Sequence, residues 1–287
     1  MIALLAAAVL QDDPYTLDIG APGTVEVRSG YTRTATGQAA TPDDIAAAAD
    51  GLQYVFVGES HDQLAHHLAQ TAIIDALLKR GRDVIVGFEM FTRDNQRNLA
   101  PWSVGYWSQD QFIEKSGWET QWGFDYKLYA PIFDAIRIHR LPMVALNVPR
   151  EWVRSVGREG PGALNSEQRE WVPDLFLEDE THRAIFASMM GGHPVTGTQG
   201  ENIYAAMVTW DEGMARSAID YMDTRHNRNA VMVVVAGSGH MMYDRGINYR
   251  IKLRSGAESL NITCITASET RSVSRGLADF VFVSEAE

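Results

Sequence analysis

The sequence predicts an α/β fold, a mostly parallel sheet flanked by helices, with a helical lid insertion late in the chain. Three observations predict it. Four short runs rich in Val, Ile and Phe (54–57, 83–88, 142–146 and 230–236) each close in small or polar residues, and continuous apolar runs of this length suit strands buried on both faces. Helical patterns separate these runs, and alternating strands and helices are solved most economically by parallel pairing with right-handed crossovers. From Pro149 to Asn229 no strand pattern occurs at all, only helical ones.

The elements follow in order. Met1 to Leu10 is wholly apolar, too short for the roughly 20 residues of a membrane span. It has the length of a signal-peptide apolar region without the basic residues that precede one. It is either the remnant of an export signal, placing the protein in the periplasm or outside the cell, or an edge strand or tail. Thr41-Pro42-Asp43-Asp44 opens a helix through Ala49, with an N-cap, Pro at the first position and two acids. Asp62 to Gly81 follows the first strand as a helix, with Leu64, Leu68, Ile73 and Leu77 on its apolar side, Lys79 and Arg80 in its last turn and Gly81 as its stop. Pro131 to Arg140 reads as the helix leading into the third strand. Glu151 to Arg158, Glu178 to Met190 and Glu201 to His226 are the insertion's helices, and Asn261 to Thr266 and Asp279 to Ser284 are two further strands, antiparallel at the sheet edge. The expected division is an N-terminal segment 1–40, an α/β core of 41–148 and 230–287, and the lid 149–229.

The 287 residues carry 25 Lys and Arg against 37 Asp and Glu, a formal charge of −12, without a basic run. This offers no electrostatic footprint for nucleic acid or an anionic bilayer. One cysteine, Cys264, excludes an intramolecular disulfide and any Cys-rich metal site. Its setting in a strand reads as a buried thiol.

Chemistry concentrates where strands end. Gly58-Glu59-Ser60-His61 follows the first strand and Gly237-Ser238-Gly239-His240 the fourth, while Glu89 closes the second and Asn147 the third. In an open parallel sheet, ligands sit outside the carboxyl ends of the strands. Glu59, His61, Glu89 and His240 thus share one rim. Two imidazoles and two carboxylates suit ligation of a divalent Zn, Mn or Fe ion, or catalysis by a histidine base held by a carboxylate. The structural alternative is helix capping by the glutamates and hydrogen bonding of the histidines to buried carbonyls. Of the adjacent His66 and His67 only one can face the sheet, which leaves the other exposed. Asp211, on an apolar helix, either pairs with an arginine, Arg93 being the candidate, or reaches the site. The insertion is rich in Met, His and Tyr, all of which can be axial haem ligands.

The stretch Val57 to Asp62, with His66, His67 and Gln70, then Gly87-Phe88-Glu89-Met90-Phe91 with Arg93 and Gln96, resembles the ChaN-like haem-binding family. Tyr129 to Ile132, Ala145 to Arg150, Asp211 to Ala215 and Ala236 to His240 extend the resemblance over Thr41 to Lys252. It implies haem binding at an apolar surface in bacterial iron acquisition, with homodimers enclosing stacked haems. It also implies a tyrosine as iron ligand and a histidine of the other subunit assisting the propionates. Tyr204 and His193 are the candidates for these roles, drawn from the insertion and not from a motif. The family is usually exported as a lipoprotein, and no cysteine follows the apolar N-terminal stretch here. The paired glycine–histidine motifs are also similar to those of the Tiki metalloproteases and the erythromycin esterases. That similarity implies a hydrolase acting on a small molecule or peptide, either metal-dependent or using His61 as base.

Overall fold

A computed structural model of the chain describes residues 13–191 and 195–285. The apolar stretch Met1 to Leu10 and the candidate His193 lie outside these residues. The chain begins with β1 (Thr24–Val27), β2 (Gly30–Arg33), β3 (Gln38–Ala40), α1 (Pro42–Ala48), β4 (Tyr54–Glu59), α2 (Leu64–Lys79) and β5 (Asp83–Thr92). It continues through α3 (Ala100–Ser103), α4 (Gln109–Ser116), α5 (Trp118–Gln121), α6 (Tyr126–His139), β6 (Met143–Asn147), α7 (Arg150–Glu159), α8 (Ser166–Trp171), α9 (Glu180–Met189) and α10 (Gly197–Asp223). It ends with β7 (Ala230–Gly237), α11 (Ile247–Ser255), β8 (Ser259–Thr266), β9 (Arg271–Ser274) and β10 (Phe280–Ser284).

Eight strands form the main sheet in the order β3-β2-β10-β8-β4-β7-β5-β6. The pairs from β10 through β6 are parallel. The antiparallel edge is made by β2 and β3, whereas β8 and β10, expected to be antiparallel, pair in parallel. Residues 30–40 of the N-terminal segment therefore contribute two strands to the sheet. The last strand must return to the same end as β8, and the chain between them turns through β9, which pairs with β1 in a separate ribbon.

Alternation along each strand sorts side chains to two cores. In β4, Val55 and Val57 face the layer of α1, α2 and α6, with Ile45, Ile73, Leu77 and Phe133. Tyr54 and Phe56 face Met214, Ala218, Ile247 and Ile251 of α10 and α11. Both faces are covered, so a near-continuous apolar run is the sequence signature of these strands. The longest helix of the expected lid is thus itself a layer on the sheet. The capping box at Thr41 is present, Thr41 and Asp44 each bonding the other's backbone. Helix α6 starts at Tyr126, before the expected Pro131, because Asp125 caps it and accepts from the N–H of Lys127. Among the described residues no helix is long and apolar enough to cross a membrane.

Candidate functional site

Strand β7 lies between β4 and β5, so the carboxyl ends of three neighbouring parallel strands present Glu59, Gly237 and Glu89 side by side. Gly58 permits this closeness. A Cβ there would stand 2.7 Å from Ser238 Oγ and 2.9 Å from Ser238 Cα, where the turn leaving β7 crosses β4.

Glu59 is buried and accepts four donors. His61 Nδ1 lies 2.9 Å from its Oε1, which also takes the hydroxyl of Tyr129 from α6. Its Oε2 lies 2.8 Å from Gln70 Nε2 and 3.2 Å from His67 Nδ1. Burial alone would raise the carboxyl's pKa, but the histidine hydrogen bonds outweigh it and hold it at about 2. The carboxylate is thus ionised and can only accept, so His61 Nδ1 and His67 Nδ1 donate. His67 Nε2 meets the backbone carbonyl of His61 at 3.3 Å; with acceptors at both nitrogens this ring is an imidazolium. Burial works against that charge and Glu59 reverses the balance, raising the His67 pKa.

Both His66 and His67 are wholly buried, contrary to the expectation that one is exposed, because α2 is enclosed between α6 and the β10 side of the sheet. His66 Nδ1 accepts the backbone N–H of Ser60 at 3.0 Å, while Nε2 reaches Thr266 Oγ1 and Ser284 Oγ, each at 3.3 Å. Burial drives its pKa down to about 4. It is a neutral histidine that fixes the turn carrying Glu59 and His61.

His61 is different. Among the described residues its Nε2 has no hydrogen-bond partner, its side chain is 31% exposed, and its ring stands edge-on to Trp122 with centroids 4.6 Å apart, with Phe124 at 5.3 Å. Burial lowers its pKa, and Glu59 and Glu89 together more than reverse this, leaving it raised.

Across Gly237, His240 is held between two carboxylates. Nδ1 lies 2.7 Å from Asp211 Oδ1 and Nε2 3.3 Å from Glu89 Oε1, while the other Glu89 oxygen accepts the Gly237 N–H at 2.7 Å. Against the effect of burial, Glu89 and Asp211 raise its pKa to about 10. Asp211 reaches the site and does not pair with Arg93, which binds Asp220 at 2.7 Å. Its other oxygen lies 3.3 Å from His182 Nε2 and 3.6 Å from the fully buried Arg250. Asn147 donates to the Glu89 carbonyl at 2.9 Å.

Two hollows open at this rim. One, of about 280 Å³, is lined by Tyr15, His61, Met189, Met207, His240 and Met242. The other, of about 420 Å³, is lined by Glu89, Trp122, Asn147, Arg150, Arg154 and Trp210. The structure thus brings Glu59, His61, Glu89 and His240 to one rim. It does not bring Tyr204, which is buried behind Asp211 with its hydroxyl 3.0 Å from His182 Nδ1 and 3.3 Å from the Asp179 carbonyl. In this arrangement its oxygen is not presented to a ligand. The expected metal-ligand set does not form either. Among the described residues no three His, Cys, Asp or Glu side chains group so as to hold a metal ion. The reason is local: the oxygens of Glu59 are taken by His61, Tyr129, Gln70 and His67, those of Glu89 by His240 and the Gly237 N–H, and the second nitrogen of His240 by Asp211.

Sequence reasoning missed Tyr15, which reaches the rim from the segment before β1. Tyr243 bonds the Pro14 carbonyl at 2.9 Å and the Leu17 N–H at 3.0 Å, and Arg271 lies over the Tyr15 ring at 4.6 Å. No local pattern announces it. Tyr129 was legible only through the family resemblance.

A mostly parallel sheet with helices on both faces and histidine–carboxylate pairs along one carboxyl rim defines a mixed α/β protein of the open-sheet kind. Residues 45–251 match the family described as haem-binding uptake, Tiki superfamily, ChaN, and the chain belongs to that family. No curated protein matches it. Among solved structures, that of ChaN of Campylobacter jejuni, described as cofacial haem binding, is similar at 16% identity, covering 88% of this chain and 94% of that one with a TM-score of 0.67. An erythromycin esterase mutant, EreC, in its open conformation is 12% identical over 83% of this chain and 76% of that one, TM-score 0.46. The type III effector HopBA1 is 12% identical over 91% and 98%, also at 0.46.

Proposed function

We propose that this protein binds haem at the rim, as part of haem or iron acquisition in a bacterium, acting as an exported homodimer. The family match carries the reading, because its span of 45–251 contains Glu59, His61, Glu89, Asp211 and His240. The donor chemistry of the rim fits the group. A haem needs a flat apolar surface and an axial donor, and the hollow beside His61 offers thioethers, the Tyr15 phenol and an imidazole nitrogen with no hydrogen-bond partner among the described residues. Trp122 and Phe124 supply ring surface against His61. Haem, when bound, would supply an iron and two propionates, and Arg150 and Arg154 at the neighbouring hollow would be the cations to hold the latter.

Titration of the purified protein with hemin tests the reading. A saturable shift of the Soret band at micromolar concentration, with a defined stoichiometry, is expected. A linear, unsaturated response up to tens of micromolar would refute it.

One observation favours a second reading. A buried carboxylate on His61 Nδ1 with Nε2 left open is the arrangement of a general base. A hydrolase of this kind would activate water at His61 without a metal, acting on a small ester or a peptide. Turnover of activated esters that disappears in His61→Ala supports it, and equal rates in the two proteins exclude it.

A further inference from the structure

We propose that a hollow at the β6 edge of the sheet is a second binding site, separate from the rim, and that it takes a small organic carboxylate with an apolar body. The hollow, of about 280 Å³, is lined by Arg93, Val144, Ala145, Ser217, Asp220 and Tyr221 among others, and it shares no lining residue with the two hollows of the rim. The site stands independently of the haem reading.

Three elements build it. β6 is the last strand of the sheet, Arg93 opens the 3₁₀ turn Arg93–Asn98 that leaves β5, and Ser217, Asp220 and Tyr221 are spaced along α10 so that they share one face of the helix. Asp220 is bonded from two sides, by Arg93 Nη2 at its Oδ2 and by Arg216 Nε at its Oδ1, each at 2.7 Å. One carboxylate thus answers two guanidinium groups, and the trio keeps an excess of positive charge. The Arg93 guanidinium also lies over the Trp171 ring, 5.5 Å from its centre, which restricts the fork to one orientation. Among the described residues its Nη1 has no hydrogen-bond partner, and neither does Ser217 Oγ, on a residue only 4% exposed. Polar atoms withdrawn from water are as a rule hydrogen-bonded, and leaving them bare is costly. Both of these atoms can donate, and an anionic ligand oxygen is the acceptor they lack.

Gln96 decides the chemistry of the rest of the hollow. Its Nε2 donates to the Met143 carbonyl and its Oε1 accepts the Ala145 N–H, both at 2.8 Å, the two bonds that a neighbouring strand would make. The side chain closes the sheet edge at these residues, so an added peptide strand is disfavoured and the backbone of β6 offers the ligand no hydrogen bonds there. Thr224 Oγ1 is likewise committed, to the Tyr221 carbonyl at 2.7 Å. Few donors and much hydrocarbon, from Val144, Ala145 and the Tyr221 ring, therefore face the hollow. A planar carboxylate matches the guanidinium fork, and an apolar body gains by burial against the hydrocarbon. Inorganic phosphate, with polar oxygens on every side, would leave most of them unanswered, and a metal cation would meet the excess positive charge.

Titration of the full-length protein with 4-fluorobenzoate, followed by the fluorine NMR signal of the acid, tests this, with inorganic phosphate and hemin as competitors. The expected result is saturable binding in wild type that survives saturating hemin and is not displaced by an equal concentration of phosphate. Arg93→Lys keeps the charge but loses the fork, and binding should weaken about tenfold; Ser217→Ala should weaken it as well. Thermal melting is run alongside, because Arg93→Lys also alters the pairing with Asp220. Ser217→Ala removes only a hydroxyl and keeps the test decisive should the first variant fail to fold. A linear, unsaturated response in wild type, or wild-type affinity in the folded variants, would overturn the site. Displacement by an equal concentration of phosphate would overturn the carboxylate class, and loss of the acid on saturation with hemin would place it at the rim and overturn the separate site. Failure of hemin to bind at all would strike the haem reading and leave the variant comparison to decide this one.

Discussion

Acidification should break the rim through one residue, His66. Its Nδ1 must be unprotonated to accept the Ser60 N–H, and it is wholly buried, so burial holds its pKa at about 4 against about 6.5 in an unfolded chain. A histidine with a depressed folded-state pKa contributes stability that is complete above the unfolded value and is lost as pH falls toward the folded one. Between pH 7.5 and 4.5 the unfolded chain takes up a proton that the folded state resists, so stability falls by on the order of 2–3 kcal/mol. The raised histidines His61, His67 and His240 titrate in the opposite sense, so the measurement must isolate His66. Urea denaturation of wild type and His66→Asn at pH 7.5 and 4.5 does so. Asn at this position can offer an oxygen to Ser60 but takes up no proton. The wild-type advantage over the variant should shrink by on the order of 2–3 kcal/mol between the two pH values. Curves that move in parallel, or a His66 ring titrating near 6 by NMR, would show that His66 is not the group responsible. Ser60 sits between Glu59 and His61, so ligand binding at the rim should weaken over the same pH interval.

Asp211→Asn removes one partner of a buried ion pair and should cost about 3–5 kcal/mol, read by chemical denaturation. His240 should then titrate below its value of about 10 in NMR. In wild type, the stability contributed by His240 is present below about pH 6.5 and is lost as pH rises through about 10, an alkaline limb that denaturation at pH 8 and 10.5 would reveal and that Asp211→Asn should flatten. Gly58→Ala places a Cβ 2.9 Å from backbone of Ser238 and should destabilise by about 1–3 kcal/mol with weakened hemin binding; a melting temperature equal to wild type would show that the β4–β7 turn yields easily. Trp118→Ala should cost about 3–5 kcal/mol and also free the Phe124 carbonyl, now bonded by Trp118 Nε1 at 2.8 Å. An altered Soret spectrum should accompany the lost stability, because Phe124 packs on His61.

The features legible in the amino-acid order alone are local and periodic. The apolar runs of β4, β5, β6 and β7 follow from burial on both faces, and the Thr41 cap from side-chain chemistry within one turn. The placement of Glu59, His61, Glu89 and His240 at strand ends was legible for the same reason, since a residue just past an apolar run must emerge at the sheet's edge. Tertiary structure decided everything that depends on which distant segments meet. The insertion of β7 between β4 and β5 set His61 and Glu89 on either side of Gly237, and neither strand's own pattern encodes its neighbour. Asp211 found His240 and His182 in place of Arg93, and Tyr204 went into the core while Tyr15 came to the rim. Hydrogen-bond partners and the burial of an amphipathic residue are set by long-range packing, to which a periodicity of a few residues is blind.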